Sequence, residues 1–172
     1  AIFAIMSIMI TLSLVPVSLG DRSNPAPPEE VKVDLPRVWR ISPLGCMGCI
    51  IVGLSNSAFR SLSPVYAEQL GMSVADVVTF VSVGIIGGGI IQYPLGYLSD
   101  RWDRRKVLLV TTIGSLVTGL ALGLFAGGDP LVNFALVFIF GSFAMPMYSL
   151  SAAHANDRAG PGEFVLVNAA LM

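Results

Sequence analysis

The residues best placed to do chemistry lie in one short run, Gly96-Tyr97-Leu98-Ser99-Asp100-Arg101-Trp102-Asp103-Arg104-Arg105-Lys106. Long apolar segments flank it on both sides. An acid at the C-terminal end of a helix meets the negative pole of the helix dipole, so Asp100 needs a compensating partner. Arg104 or Arg105 can supply one, and so can the positive N-terminus of a neighbouring helix. A carboxylate whose partner depends on how helices meet would act as a latch, holding one arrangement and releasing in another. The plainer reading is a basic loop that fixes topology and carries a surface salt bridge worth about 0–1 kcal/mol.

A second candidate is Arg60, the one basic residue outside the clusters between apolar segments. Helical spacing places Asn56, Arg60 and Ser63 on one face, with Gly53 above them. An arginine within a membrane span is costly and marks a functional site by default. Two readings are open. Arg60 faces a cavity and pairs with an anionic solute or a carboxylate elsewhere, or it snorkels to the outer interface, Glu68 being about two turns away. Gln92 and Tyr148, with Thr79 and Ser82, are further cavity candidates or helix–helix hydrogen-bonding groups.

Other reactive residue types carry less. His154, the only histidine, stands with Asn156 and Asp157 at the end of an apolar segment, where a cation suits the helix C-terminus. No Asp or Glu lies mid-segment to serve it as a proton-relay partner, so proton coupling stays open and no cofactor is expected. Cys46-Met47-Gly48-Cys49 has redox spacing but enters an apolar helix instead of following a strand, which points to small-residue packing. Two cysteines are too few for a disulfide framework or a four-ligand zinc site. No Ser/His pair or acidic cluster falls within the apolar segments, so an enzyme is not expected.

The elements that must position these residues follow from composition. Of 172 residues, 54% are hydrophobic and 12% charged, against about 25% charged in soluble proteins. Mean hydropathy is +0.77. One soluble core of this size could not hide so much apolar surface, whereas a bilayer solvates it. A net charge of −1 gives no sign of a nucleic-acid partner.

Apolar segments run over about 1–19, 44–67, 74–98, 107–126 and 131–153, with a shorter sixth at 164–172. About 20 residues are needed to cross roughly 30 Å of hydrocarbon. The pattern therefore predicts an all-α membrane protein with about five full spans and one truncated. The chain starts at Ala1 without a basic leader and stops inside an apolar run, so an internal fragment is expected. Residues 21–40 are polar and rich in proline (Pro25, Pro27, Pro28, Pro36), and no packed element is predicted there. The end of that stretch, 35–41, suits a short interfacial turn. Ser73 is predicted to N-cap the third segment with Asp76 at its third position. Gly127-Gly128-Asp129-Pro130 reads as a turn.

Charge then predicts orientation. Arg22, Lys32, Arg37 and Arg40 lie in the first loop, Arg101 to Lys106 in the third, and Arg158 in the last; the loops around Glu68 and Asp129 carry no Lys or Arg. The positive-inside rule puts loops 21–42, 99–106 and 154–162 in the cytoplasm. Small residues at four-residue spacing predict tight packing: Gly84-Gly88-Gln92-Gly96, Ser115-Gly119-Gly123 and Cys49-Gly53-Ser57. Gly87-Gly88-Gly89 and Pro94 are expected to soften the third segment, and Met145-Pro146-Met147 to kink the fifth.

The charged run resembles the loop motif of the major facilitator superfamily, G-x-L-a-D-r-x-G-r-[rk]. Gly96, Leu98, Asp100, Arg101, Arg104 and Arg105 match in place, and Asp103 stands where the family has glycine. If that position needs φ > 0, Asp tolerates it better than most residues. The segments Ser57-Ala58-Phe59, Pro64-Val65-Tyr66-Ala67, Gln92 to Arg101 and Ala153-His154-Ala155-Asn156-Asp157-Arg158 look like the YcaD-like bacterial branch. The resemblance implies a facilitator-type helix bundle with residues 1–20 as the sixth helix, 21–42 as the linker between halves, and 43–172 as the C-terminal half through the start of helix eleven. It implies a secondary transporter of the bacterial inner membrane that moves a small solute by alternating access. Its partners would be that solute, the lipid bilayer and the missing N-terminal half. The competing expectation is a non-transporting membrane scaffold or receptor.

Overall fold

The structure, a computed structural model, describes residues 2–18, 33–125 and 129–172. Two units are distinguished, Ala1–Val31 and Lys32–Met172. In the first, helices α1 (Ile2–Ser13) and α2 (Val15–Ser18) are separated by Leu14. Pro16 has no N–H to continue the ladder and its ring clashes with the carbonyl four residues back. The predicted single span thus contains a break, and the 12 residues of α1 are short of a crossing by themselves. Most of the proline-rich stretch, residues 19–32, lies outside the described residues, as do Gly127 and Gly128 of the predicted turn.

The second unit is a helix bundle: α3 (Leu35–Ile41), α4 (Pro43–Gln69), α5 (Val74–Arg101), α6 (Arg104–Leu124), α7 (Pro130–Ala144), α8 (Met147–Asn156) and α9 (Phe164–Leu171). Among the described residues, α5, α6 and the combined segment Pro130–Asn156 are long and apolar enough to cross a membrane, and α3 with α4 passes only as a pair bent by 113°. Ser42 makes that bend. Its N–H donates to the Val38 carbonyl, ending α3, while its Oγ accepts from the Gly45 N–H, starting α4.

Where a packed element was not expected, α3 packs. Val38 is 1% exposed and joins Ala155, Leu166, Val167 and Leu171 in one apolar cluster. Asp34 caps the helix by accepting from the Arg37 N–H, and Pro36 occupies its first turn, where a missing N–H costs nothing. Ser73 and Asp76 form the predicted reciprocal cap of α5.

Helix α5 runs through Gly87-Gly88-Gly89 and Pro94 without interruption, so the expected softening does not break the helix. Gly84, Gly87 and Gly88 are instead buried against α7. A Cβ on Gly141 would meet the Gly84 carbonyl, and one on Gly87 would meet the Phe138 carbonyl. Backbones in direct contact gain dispersion energy and leave no room for the glycines to flex. At the predicted kink, Met145-Pro146, α7 stops and α8 begins with the backbone still right-handed, and the two together make one span.

Only part of each predicted small-residue ridge is used. Gly119 touches Phe140, whereas Gly53, Gly96 and Gly123 have nothing within 4 Å of an added Cβ. On α4 the close contacts come from Gly45 and Gly48 against Ala155 and Ser151 of α8. Cys46 and Cys49 are free thiols packed beside the Val38 cluster, in keeping with a packing role.

Candidate functional site

At one end of the bundle the charged run folds more tightly than a loop. Ser99–Arg101 finish α5 and Arg104–Lys106 open α6, leaving Trp102 and Asp103 as the whole connection. The Trp102 N–H closes α5 on the Leu98 carbonyl. Asp103 N-caps α6 by accepting from the Arg105 N–H at 3.0 Å. Its φ is −65°, so the left-handed conformation considered for this position is not adopted; an N-cap takes extended backbone, and Asp suits it well.

Three cations in the first turn of α6 oppose the helix dipole and need compensation. Arg104 receives it twice. Its Nη2 donates to Asp100 Oδ1 at 2.7 Å, and its Nε lies 2.6 Å from Asp157 Oδ2. Asp100 closes α5 and Asp157 caps the C-terminus of α8, so one guanidinium ties three helix ends together. The side chain of Arg104 is 22% exposed and those of Asp100 and Asp157 are 66% and 53% exposed. Pairs this open contribute at most about 1 kcal/mol each. They are too weak to hold the fold and weak enough to exchange.

Arg101 takes a different partner, its guanidinium lying 4.3 Å from the Tyr97 ring centroid. The Arg105 side chain is exposed and makes no ion pair among the described residues. The Asp157 contact was not foreseen, although the dipole argument applied to Asp100 applies equally to an acid after α8. His154 is 5% exposed, and its Nε2 has no hydrogen-bond partner.

A second ionic contact joins the same end. Arg37 of α3 donates through Nη2 at 2.6 Å and Nε at 3.1 Å to Glu163 Oε1, at the start of α9. Glu163 Oε2 accepts the Gly160 N–H at 2.9 Å. That backbone hydrogen bond, and next the Arg37 side chain, hold the Glu163 carboxyl below the usual carboxylate range. Asn156 and Asn168 exchange amide hydrogen bonds between α8 and α9 at 3.2 and 3.0 Å. Sequence spacing singled out neither pair.

The four cavity candidates are not brought together. Gln92 lines a groove of about 360 Å³ with Tyr93, Gly96, Tyr97, Asp100 and Ser149, and so joins the charged motif. Tyr148 is exposed on α8 but does not line that groove. Asn56 and Ser63 turn inward: the Asn56 Oδ1 is buried without a partner, and Ser63 is 8% exposed. Arg60 is exposed and separated from them. The predicted shared face divides because 3.6 residues per turn spread positions 56, 60 and 63 across the edge of a packed stripe. A separate apolar cavity of about 410 Å³ lies among α4, α5, α6 and α7, lined by Phe59, Tyr66, Phe80, Leu122 and Phe140. Tyr66 donates its hydroxyl to the Leu122 carbonyl at 2.6 Å beside it.

The sequence profile of the Major Facilitator Superfamily matches residues 1–172. Among curated proteins, an uncharacterized MFS-type transporter of Yersinia pestis (strain Pestoides F) is 31% identical over 136 residues, covering 77% of this chain and 34% of its own length. One from Yersinia pseudotuberculosis serotype O:3 (strain YPIII) is 33% identical over 140 residues with the same coverage. The uncharacterized MFS-type transporter YcaD of Salmonella paratyphi B is 29% identical over 133 residues, again with the same coverage. The chain thus spans about a third of the length of the curated relatives it matches. No solved structure matches it. With apolar helices of bilayer length, small-residue helix contacts and a charged turn matching the family motif, the chain belongs to the major facilitator superfamily, whose members are multi-pass membrane transporters.

Proposed function

We propose that this chain is the greater part of the C-terminal half of a secondary active transporter, in which the turn at 96–106 is a conformational latch. Residues 1–20 would be the last helix of the first half, 21–42 the linker, and 43–172 the second half. The basic end faces the cytoplasm of a bacterial cell, with the spans in the inner membrane. A small solute moves by alternating access as the two halves rock about a central site.

The observation that carries this reading is Arg104 held between Asp100 and Asp157. A carboxylate at the tip of α5 with a weak, exposed partner can trade that partner for a contact on the other half. Gly96, Gln92 and Asp100 line an open groove beside it, which supports this face as the one the other half meets.

The test is flux in proteoliposomes containing the full-length protein that carries this sequence. Asp100→Asn should lower flux tenfold or more while insertion and elution profile stay unchanged. An unchanged rate would remove the latch. Absence of flux across a broad solute panel, in both directions and with a proton gradient imposed, would favour a non-transporting scaffold.

A further inference from the structure

We propose that Arg60 is the anion-recognising group of the solute pathway, so that the solute bears a carboxylate or phosphate; this rests on the transport reading above. The basis is how α4 divides into three faces. Val52, Phe59, Ser63 and Ala67 are buried, and Gly45 and Gly48 meet α8, so one side is committed to packing. Met47, Ile51, Leu54, Leu62 and Val65 form an exposed side that is wholly apolar, as a lipid-facing surface must be. Between them runs a third stripe, exposed and mostly small or polar: Gly53, Ser57 and Arg60, flanked by Ser61 and by the exposed Ile50 one turn toward the start of α4. Spacings of four and three residues keep this stripe on one line of the helix.

Arg60 therefore emerges among glycine and serines, not among the lipid-facing leucines and valine. Nothing crowds the stripe, since a Cβ on Gly53 would meet no atom within 4 Å. Arg60 makes no ion pair and no side-chain hydrogen bond among the described residues. Its position, nine residues before Gln69, is about 14 Å along the helix from the outer end. No described span offers it an acid at that depth: Asp76 is held by Ser73 in the cap of α5, and Glu68 lies in the last turn of α4. A guanidinium left with five donors unmet, on a polar stripe at membrane depth, is matched by the planar oxygens of a carboxylate or phosphate.

The experiment uses full-length protein in a cysteine-free background with Ser57→Cys introduced. Two membrane-impermeant thiosulfonates are compared, one carrying a sulfonate and one a trimethylammonium group, each normalised to its rate with a free thiol. The anionic reagent should react at least tenfold faster, and Arg60→Gln should bring the ratio near unity while Arg60→Lys largely keeps it. Excess succinate or excess inorganic phosphate should slow the anionic reagent, and whichever does so tells carboxylate from phosphate; excess glucose should not. The proposal is overturned if neither reagent reacts, which means lipid or protein covers the stripe. It is overturned equally by a ratio of one or below with Arg60 present, which means a carboxylate elsewhere neutralises it, or by competition from glucose and neither anion. The ratio does not depend on flux. A protein that shows it but moves no solute loses the transport reading and keeps the anion site; one that moves neutral solutes with a ratio of one does the reverse.

Discussion

The interior of the bundle and its basic end differ in what their helix contacts add to apolar packing. Inside, α5 and α7 meet backbone to backbone: a side chain on Gly141 would run into the Gly84 backbone, and one on Gly87 into the Phe138 carbonyl. At the basic end, apolar contacts (Val38 with Leu166 and Val167, and Leu98 with Val107 and Leu150) are overlaid by exposed ion pairs: one arginine with two carboxylates across α5, α6 and α8, and Arg37 with Glu163 between α3 and α9. Close packing is all-or-none, because a fraction of an ångström forfeits much of the attraction. An exposed ion pair costs little to break and has many alternative partners. The difference suits the transport reading proposed above, in which the half would move as a body while its basic end exchanges contacts.

The strongest way to break this picture is Gly141→Leu. The new side chain meets backbone and not a flexible neighbour, so the cost should exceed the about 1–3 kcal/mol of ordinary overpacking. Loss of a monodisperse elution peak for the full-length protein is the expected result; Gly53→Leu, at an open position, should leave that peak intact. A folded, fully stable Gly141→Leu protein would show that the α5–α7 contact does not hold the interior.

Next in size is Arg104→Gln, which removes both contacts of the shared guanidinium at once. Flux should fall tenfold or more with the elution peak preserved, the reverse of the glycine variant. Asp157→Asn should be milder, roughly threefold, since Asp100 still holds Arg104. Combining Asp157→Asn with Arg104→Gln should add almost nothing, because residues in one ion network are not independent. Additive losses would separate Asp157 from the latch.

The smallest effect concerns acid. The Glu163 carboxyl is held below its ordinary value of 4.5, so its contribution is complete above that pH and is lost as pH falls through the lowered folded-state value. Protection of the α3 amides from hydrogen exchange should therefore be flat from neutral pH to about 5, after correction for intrinsic exchange, and decline below 4.5. Glu163→Gln should flatten that decline.

Much of this was legible in the chain because it depends on local sums. The three long spans, the cap at Ser73, the break at Pro146 and the family motif each follow from residues within a few positions of one another. Asp157 as the second partner of Arg104 was not legible, although its position after a helix called for a cation. Nothing in the spacing says which helix end α8 will meet. The division of α4 was also hidden, since Asn56, Arg60 and Ser63 share an approximate face and only the seating of the neighbouring helices decides which of them is covered.

By itself, then, the sequence determined a membrane-embedded helical chain, its charge asymmetry and its superfamily, because hydropathy, propensity and charge act residue by residue. Tertiary structure alone decided which glycines are contacts and which are open, who holds Arg104, and that Arg60 stands apart. Those outcomes depend on distances between helices, and helix rotation of a single residue would reassign every one of them.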